Sequence, residues 1–252
     1  YSAAFNRGRE NVESLADRVA TTVPSSTGAN LYGWLGAIPG LKKWIGEREI
    51  QKVSDNAYSI ANEKFELTVG VPRDDIEDDN YGVYTPMMEA MGESTALHKD
   101  ERVSEAVKNG FTEKCYDGQP FFSERHQVGS ITYSNKGDAK LDAESFQAAR
   151  QSIMSLKNEK GQPLNIVPNV LLVPPALEKE ARMILEAELV NGTSNINKGL
   201  AEVVVWSQLA DKPTQWYLLC TKRSLKPFIF QERRKAKFTA MTRETDENVF
   251  MR

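Results

Sequence analysis

The chain has 252 residues, 40% of them hydrophobic and 27% charged, with a formal net charge of −3. That length supports one large domain or two modest ones, each with a core, and the slightly acidic balance argues against a dedicated DNA reader, whose domain is normally basic overall. No apolar run approaches the roughly 20 residues needed to span a bilayer. Cys115 and Cys220 are the two cysteines; they give neither a disulfide framework nor a zinc set, so a reducing cytoplasm is the expected compartment. The polar stretch after Tyr1 is neither a signal nor a transit peptide, and without an initiator Met we expect either a processed start or further residues before Tyr1.

In chain order, residues 2–20 place Phe5, Val12, Leu15 and Val19 at roughly helical steps and read as an amphipathic arm. Residues 24–40, rich in Gly, Pro, Ser and aromatics, favour irregular, turn-rich structure. Tyr58 and Ile60, then Phe65, Leu67, Val69 and Val71, alternate with polar residues and predict an extended excursion of two or more strands. From about Tyr84 to Asn109 no proline follows Pro86, and Gly110-Phe111 offers a stop, so one long helix is expected. Its apolar stripe is thin, comprising Met88, Gly92, Ala96, Val103 and Val107, with Lys99 and Asp100 breaking it.

Further on, Phe146, Ala149, Ile153 and Leu156 mark a second helix, and Leu177, Ala181, Ile184 and Leu185 a third behind Pro174-Pro175. Strands are expected at 165–173, 202–209, 215–221 and 227–241. Helices and strands mix without a regular βαβ rhythm, which predicts an α+β fold.

Three features invite a chemical reading. "VPRDDIEDDNYG" (71–82) puts Asp74, Asp75, Glu77, Asp78 and Asp79 into six positions. A calcium loop is ruled out, because its central Gly and closing bidentate Glu fall at the wrong offsets. Acids before a helix complement its N-terminal dipole, so Asp74 and Asp75 are expected as caps, while Arg73, Asp78 and Asp79 are candidates for ion pairs, some with a neighbouring chain. Cys115 and His126 could pair as thiol and base, yet "EKCYDGQPFF" lacks the framing of a known nucleophile signature, and a half-buried thiol is the blander reading. No phosphate loop occurs. Finally, Lys222, Arg223, Lys226, Arg233, Arg234, Lys235 and Lys237 crowd sixteen residues against one acid, Glu232. That patch could face phosphates without reading bases, protect a solvated strand edge, or meet the acids at 74–79 across a subunit contact.

"YGWLGAIPGLKKWIGERE" (32–49), "NEKFELTVGVPRDDIEDDNYGVYTPMMEAMG" (62–92), "NGFTEKCYDGQPFF" (109–122) and "NIVPNVLLVPPALEKEARMILEAELVNG" (165–192) resemble the Mu-like phage major head subunit family over nearly the whole chain. The resemblance implies the Hong Kong 97-like capsid fold, with 1–34 as N-terminal arm and 35–71 as extended loop. It further implies a peripheral-domain spine helix within 72–111, an axial domain over 112–224 and return strands over 225–252. Further peripheral strands are expected beyond the last residue. The implied function is a non-enzymatic major capsid protein that self-assembles as pentamers and hexamers into an icosahedral shell around double-stranded DNA.

The implied partners are other copies of the chain, packaged DNA without sequence readout, and scaffold, maturation protease, portal and decoration proteins. No membrane, metal or cofactor is expected. The implied location is the virion, with assembly in the host cytoplasm. Lys42, Lys43, Trp44, Glu47 and Arg48 in the loop are expected at subunit interfaces, Trp44 as an anchor inside a polar rim. No crosslinking is predicted, because nothing identifies an acceptor for Lys42 or Lys43. An encapsulin-type compartment, which shares the fold, and a cytoplasmic thiol or metal-dependent hydrolase are the alternatives.

Overall fold

The structure, a computed structural model, describes residues 1–26, 29–33, 57–71, 82–115, 117–128, 131–158, 161–190 and 192–240. Helix and sheet are mixed, as the sequence predicts. The arm divides into two helices, α1 (Ser2–Glu10) and α2 (Ala16–Val19), separated by a short bend. The chain then enters a strand, β1 (Ala20–Pro24), where Thr21, Thr22 and Val23 supply the β-branched residues that favour a pleated backbone. A second strand, β2 (Ala29–Gly33), lies inside the stretch expected to be irregular; it pairs antiparallel with β3 (Ala57–Ala61). Residues 62–71 follow outside any strand, with Phe65, Leu67 and Val69 exposed, so their alternation has no buried face to serve.

The long helix, α3 (Tyr84–Asn109), has the predicted ends. It stops at Gly110, whose φ of −58° is ordinary; glycine is needed there because a Cβ would stand 2.9 Å from the Phe122 ring. Its buried face comprises Met88, Gly92, Asp100, Val103, Ser104 and Val107. Asp100 therefore belongs to the stripe instead of breaking it. The carboxylate accepts from Ser14 Oγ at 2.5 Å, Ala16 N at 2.9 Å and Leu15 N at 3.2 Å, satisfying the free N–H groups that open α2.

Helix α1 lies on the first half of α3 at very short range. A Cβ on Gly8 would come within 1.9 Å of the Glu89 carbonyl oxygen, and one on Gly92 within 2.0 Å of the Phe5 carbonyl oxygen. Two glycines thus let the backbones touch, and Phe5 is buried beside them against Phe238, ring centroids 5.5 Å apart.

After α3 come the hairpin β4 (His126–Val128) and β5 (Ile131–Tyr133), helix α4 (Ala143–Met154) and strand β6 (Val170–Val173). Asp142 caps α4 in a reciprocal pair with Ser145. A 3₁₀ turn, Pro175–Leu177, leads into α5 (Glu178–Leu185), and a short hairpin of β7 (Leu189–Val190) and β8 (Thr193–Ser194) precedes β9 (Glu202–Val205), β10 (Tyr217–Leu219) and β11 (Phe228–Glu232).

The central sheet has the order β10-β6-β9, β6 pairing antiparallel with β10 and parallel with β9. All four residues of β6 are buried, as a strand covered on both faces requires. Val170 and Leu172 point to a core shared with Val19, Val103, Val107, Trp206 and Phe228; Leu171 and Val173 point to a second core with Phe146, Ala181 and Leu185.

The observed strands are shorter than predicted. Ser207–Leu209 is a 3₁₀ turn. Strand β11 ends at Glu232, well short of 241, where its parallel partner β1 ends at Pro24, in register with Glu232; one further hydrogen bond, from Ser25 N–H to the Glu232 carbonyl oxygen at 3.0 Å, closes the ladder.

Candidate functional site

The interface residues expected from the sequence, Lys42, Lys43, Trp44, Glu47, Arg48, Arg73, Asp78 and Asp79, lie outside the described residues, as do the expected caps Asp74 and Asp75. The N-cap position of α3 is Val83, whose own side chain makes no capping hydrogen bond.

The basic cluster is described, and it divides. Arg223 donates to the carbonyl oxygens of Leu164 and Asn165 at 2.6 and 3.0 Å, and Lys226 Nζ donates to the Asp17 carbonyl oxygen. These two side chains tie the segment before β11 to its neighbours. Lys222, Arg233, Arg234, Lys235 and Lys237 are exposed, the last four just past the end of β11.

Sequence reasoning paired Cys115 with His126 but missed Asp117, which stands between them. Cys115 and Asp117 occupy one tight turn, closed by Cys115 N–H to the Gln119 carbonyl oxygen at 2.7 Å and bent at Gly118, φ 78°. The Asp-Gly pair is the local signal that could have found this turn. His126, only 3% exposed, comes from the start of β4 and stacks on Tyr133. Its Nδ1 lies 2.6 Å from Asp117 Oδ2 and its Nε2 3.0 Å from the Phe121 carbonyl oxygen. Both nitrogens face oxygen acceptors, and a ring protonated at both donates to both. Cys115 Sγ donates to Asp117 Oδ1 at 3.1 Å, and Gln119 N–H donates to the same oxygen at 3.0 Å. Phe121 and Phe122, between the turn and β4, pack against Phe111, Tyr217 and Phe228. The cluster therefore sits at the foot of α3, beside β10 and β11.

This arrangement does not activate the thiol. A nucleophile needs its base within hydrogen-bond reach, whereas both His126 nitrogens are directed elsewhere. Burial, reinforced by the hydrogen bond to Asp117, pushes Cys115 from 9.0 up to about 11. Burial raises the Asp117 carboxyl as well, but hydrogen bonds from His126, Cys115 and Gln119 N–H outweigh it and hold it below the usual carboxylate range.

Metal-free protein is expected to alkylate at Cys115 about a hundredfold more slowly at pH 8 than an ordinary thiol, as roughly two pH units of lost thiolate dictate. Peptide mapping after iodoacetamide treatment checks this, and a rate matching a free thiol would contradict it. Because the folded thiol holds its proton more tightly than the unfolded one, its contribution is complete below pH 9 and lost as the pH rises toward about 11.

Among the described residues, Cys115, Asp117 and His126 also bring ligand atoms within 4.8 Å of one another. No described helix is long and apolar enough to cross a membrane.

Comparison with known proteins places the whole chain. The family model for the Mu-like prophage major head subunit gpT matches residues 1–140, 130–209 and 206–252. The major capsid protein of Escherichia phage Mu is 37% identical over 247 residues, 98% of this chain and 61% of that protein. The Mu-like prophage FluMu major head subunit of Haemophilus influenzae is 33% identical over 252 residues, all of this chain and 62% of that protein. The chain thus spans about three fifths of the length of these curated relatives. Among solved structures, a subunit of the procapsid of bacteriophage JBD30 superposes with a TM-score of 0.70 at 29% identity, covering 82% of this chain and 97% of that one. The chain belongs to the Mu-like prophage major head subunit gpT family.

Proposed function

We propose that the chain is the capsid-building part of the major head protein of a Mu-like tailed phage or prophage. Its copies pack as pentamers and hexamers into an icosahedral shell around double-stranded DNA. One observation carries the reading: at 29% identity, the fold follows a procapsid subunit over 82% of this chain. In this reading the architecture is Hong Kong 97-like, with α3 as spine helix, the sheet around β6 in the axial domain, and β1 with β11 in the peripheral domain. Residues 35–71 form the extended loop, whose Trp44 docks on an adjacent copy.

The exposed apolar residues support assembly. Phe65, Leu67 and Val69 lie at alternate positions of the segment after β3, and Leu189 and Ile196 lie on and beside the β7–β8 hairpin. Exposed apolar surface of this kind suits contact with other copies. The role is structural; scaffold, protease, portal and decoration proteins are the expected partners, and the virion the expected location.

Heads purified from the phage should contain the full-length protein as the predominant shell polypeptide and hold nuclease-protected duplex DNA. Trace abundance in such heads would overturn the assignment. Particles holding a protein cargo in place of DNA would mark an encapsulin-type compartment.

Arg233, Arg234, Lys235 and Lys237 are proposed to face packaged phosphates. Changing all four to Gln should lower the salt slope of non-specific duplex binding by up to roughly 3.6, at about 0.9 for each phosphate no longer neutralised. An unchanged slope would leave these charges as a solvated strand edge.

A further inference from the structure

We propose that Cys115, Asp117 and His126 form a binding site for a divalent transition metal ion, with Zn²⁺ the ion their donors match best. The sequence leads us to expect no metal; the fold, however, brings three different donor types together from a turn and a strand. A thiolate, a carboxylate and an imidazole are an N/S/O set suited to zinc, whereas calcium and magnesium require oxygen ligands throughout. Three protein ligands leave a fourth position for water or another donor.

The outer contacts are those such a site uses. His126 Nε2 is directed at the Phe121 carbonyl oxygen at 3.0 Å, which fixes the ring and leaves Nδ1 as the coordinating atom. Tyr133 stacks on the ring and holds its plane. Gln119 N–H, at 3.0 Å, anchors the Asp117 carboxylate. The ligand atoms all lie within 4.8 Å of one another. A tetrahedral zinc site with bonds of about 2.0–2.3 Å sets its ligand atoms roughly 3.3–3.6 Å apart. The 2.6 Å contact between Asp117 and His126 must therefore open by roughly 0.7 Å, while the longest separation contracts.

An incoming Zn²⁺ displaces the proton of Cys115 Sγ, and any proton held between His126 Nδ1 and Asp117, to solvent; thiolate and carboxylate then balance the two charges of the ion, with the imidazole a neutral ligand. The ion would staple the 115–119 turn to β4 at the foot of α3, holding Phe121 and Phe122 in the core between them.

The full-length protein, dialysed against a chelator and then freed of it, should be titrated with Co²⁺ followed by Zn²⁺. Cobalt should produce a thiolate-to-metal charge-transfer band that Zn²⁺ abolishes, and one equivalent of zinc should survive gel filtration. Free Zn²⁺ at a hundredfold over Kd should raise the thermal midpoint by about 5 to 10 °C. Cys115→Ser, whose hydroxyl can still donate to Asp117, should fold and lose the band, the retained zinc and the shift. His126→Gln provides a second removal of a ligand. Absence of the band and of retained zinc in the wild type would overturn the site, as would equal zinc retention by Cys115→Ser.

Discussion

Changing Gly92 to Ala should loosen the N-terminal helix from α3, although the same change in an exposed helix would stabilise by about 1 kcal/mol. The new Cβ would lie 2.0 Å from the Phe5 carbonyl oxygen, 2.9 Å from Arg9 N and 3.0 Å from the Phe5 carbonyl carbon. All three are backbone atoms, so no rotamer can relieve the overlap and α1 must move away. Overpacking of this kind costs about 1–3 kcal/mol, and partial exposure of Phe5 adds up to about 1.5–3 kcal/mol. The penalty exceeds the propensity gain, giving a net loss of several kcal/mol. The exposed Arg7 to Glu89 pair, 2.7 Å apart, is worth at most about 1 kcal/mol and cannot hold the helix in place. Limited proteolysis should cut the first fourteen residues early in the variant, with a lowered thermal midpoint. Gly137→Ala, where a Cβ meets nothing within 4 Å, is the control. A Gly92→Ala protein as stable as wild type would show that the crossing has slack.

Removing the Asp100 carboxylate should be comparably damaging. Asp100 is 2% exposed and accepts from one hydroxyl and two backbone N–H groups. In Asp100→Ala these donors lose their acceptor, a loss of about 3 kcal/mol. Asp100→Asn keeps one acceptor oxygen and should lose less. Asp142→Ala, which removes an exposed cap from α4, should cost only about 1 kcal/mol. Urea unfolding of the three variants checks the order, and a loss for Asp100→Ala no larger than for Asp142→Ala would contradict the anchoring role.

What is legible in the sequence is local. Both ends of α3 can be read because an uninterrupted run and a terminal Gly-Phe are near-neighbour signals. The strand β6 is readable because burial on both faces leaves an unbroken apolar run. Asp100 is misread because an acid in an apolar stripe looks like a defect until its partners at 14–16 are known, and those lie 84 to 86 positions upstream. Asp117 escapes notice because the thiol and the imidazole carry the chemical signal, whereas the group joining them belongs to a turn. The split in the basic cluster is equally hidden: nothing local distinguishes Arg223, which binds two carbonyls, from exposed Arg233. The family resemblance names the likeness to a head subunit; it cannot supply these pairings.

The pairing of β1 with β11 also constrains the order of folding. Ala20 lies opposite Phe228, and the ladder runs from there to Pro24 and Glu232. A ribosome must therefore deliver about 200 residues between the two strands before either finds its partner. During that interval Thr21 to Val23 form an unpaired edge, while the sheet around β6 gains its last strand only when β10 emerges. Contacts so distant in sequence close late, and late closure keeps an adhesive edge open on the nascent chain. The time spent in that open state sets how much newly made chain aggregates before it can fold.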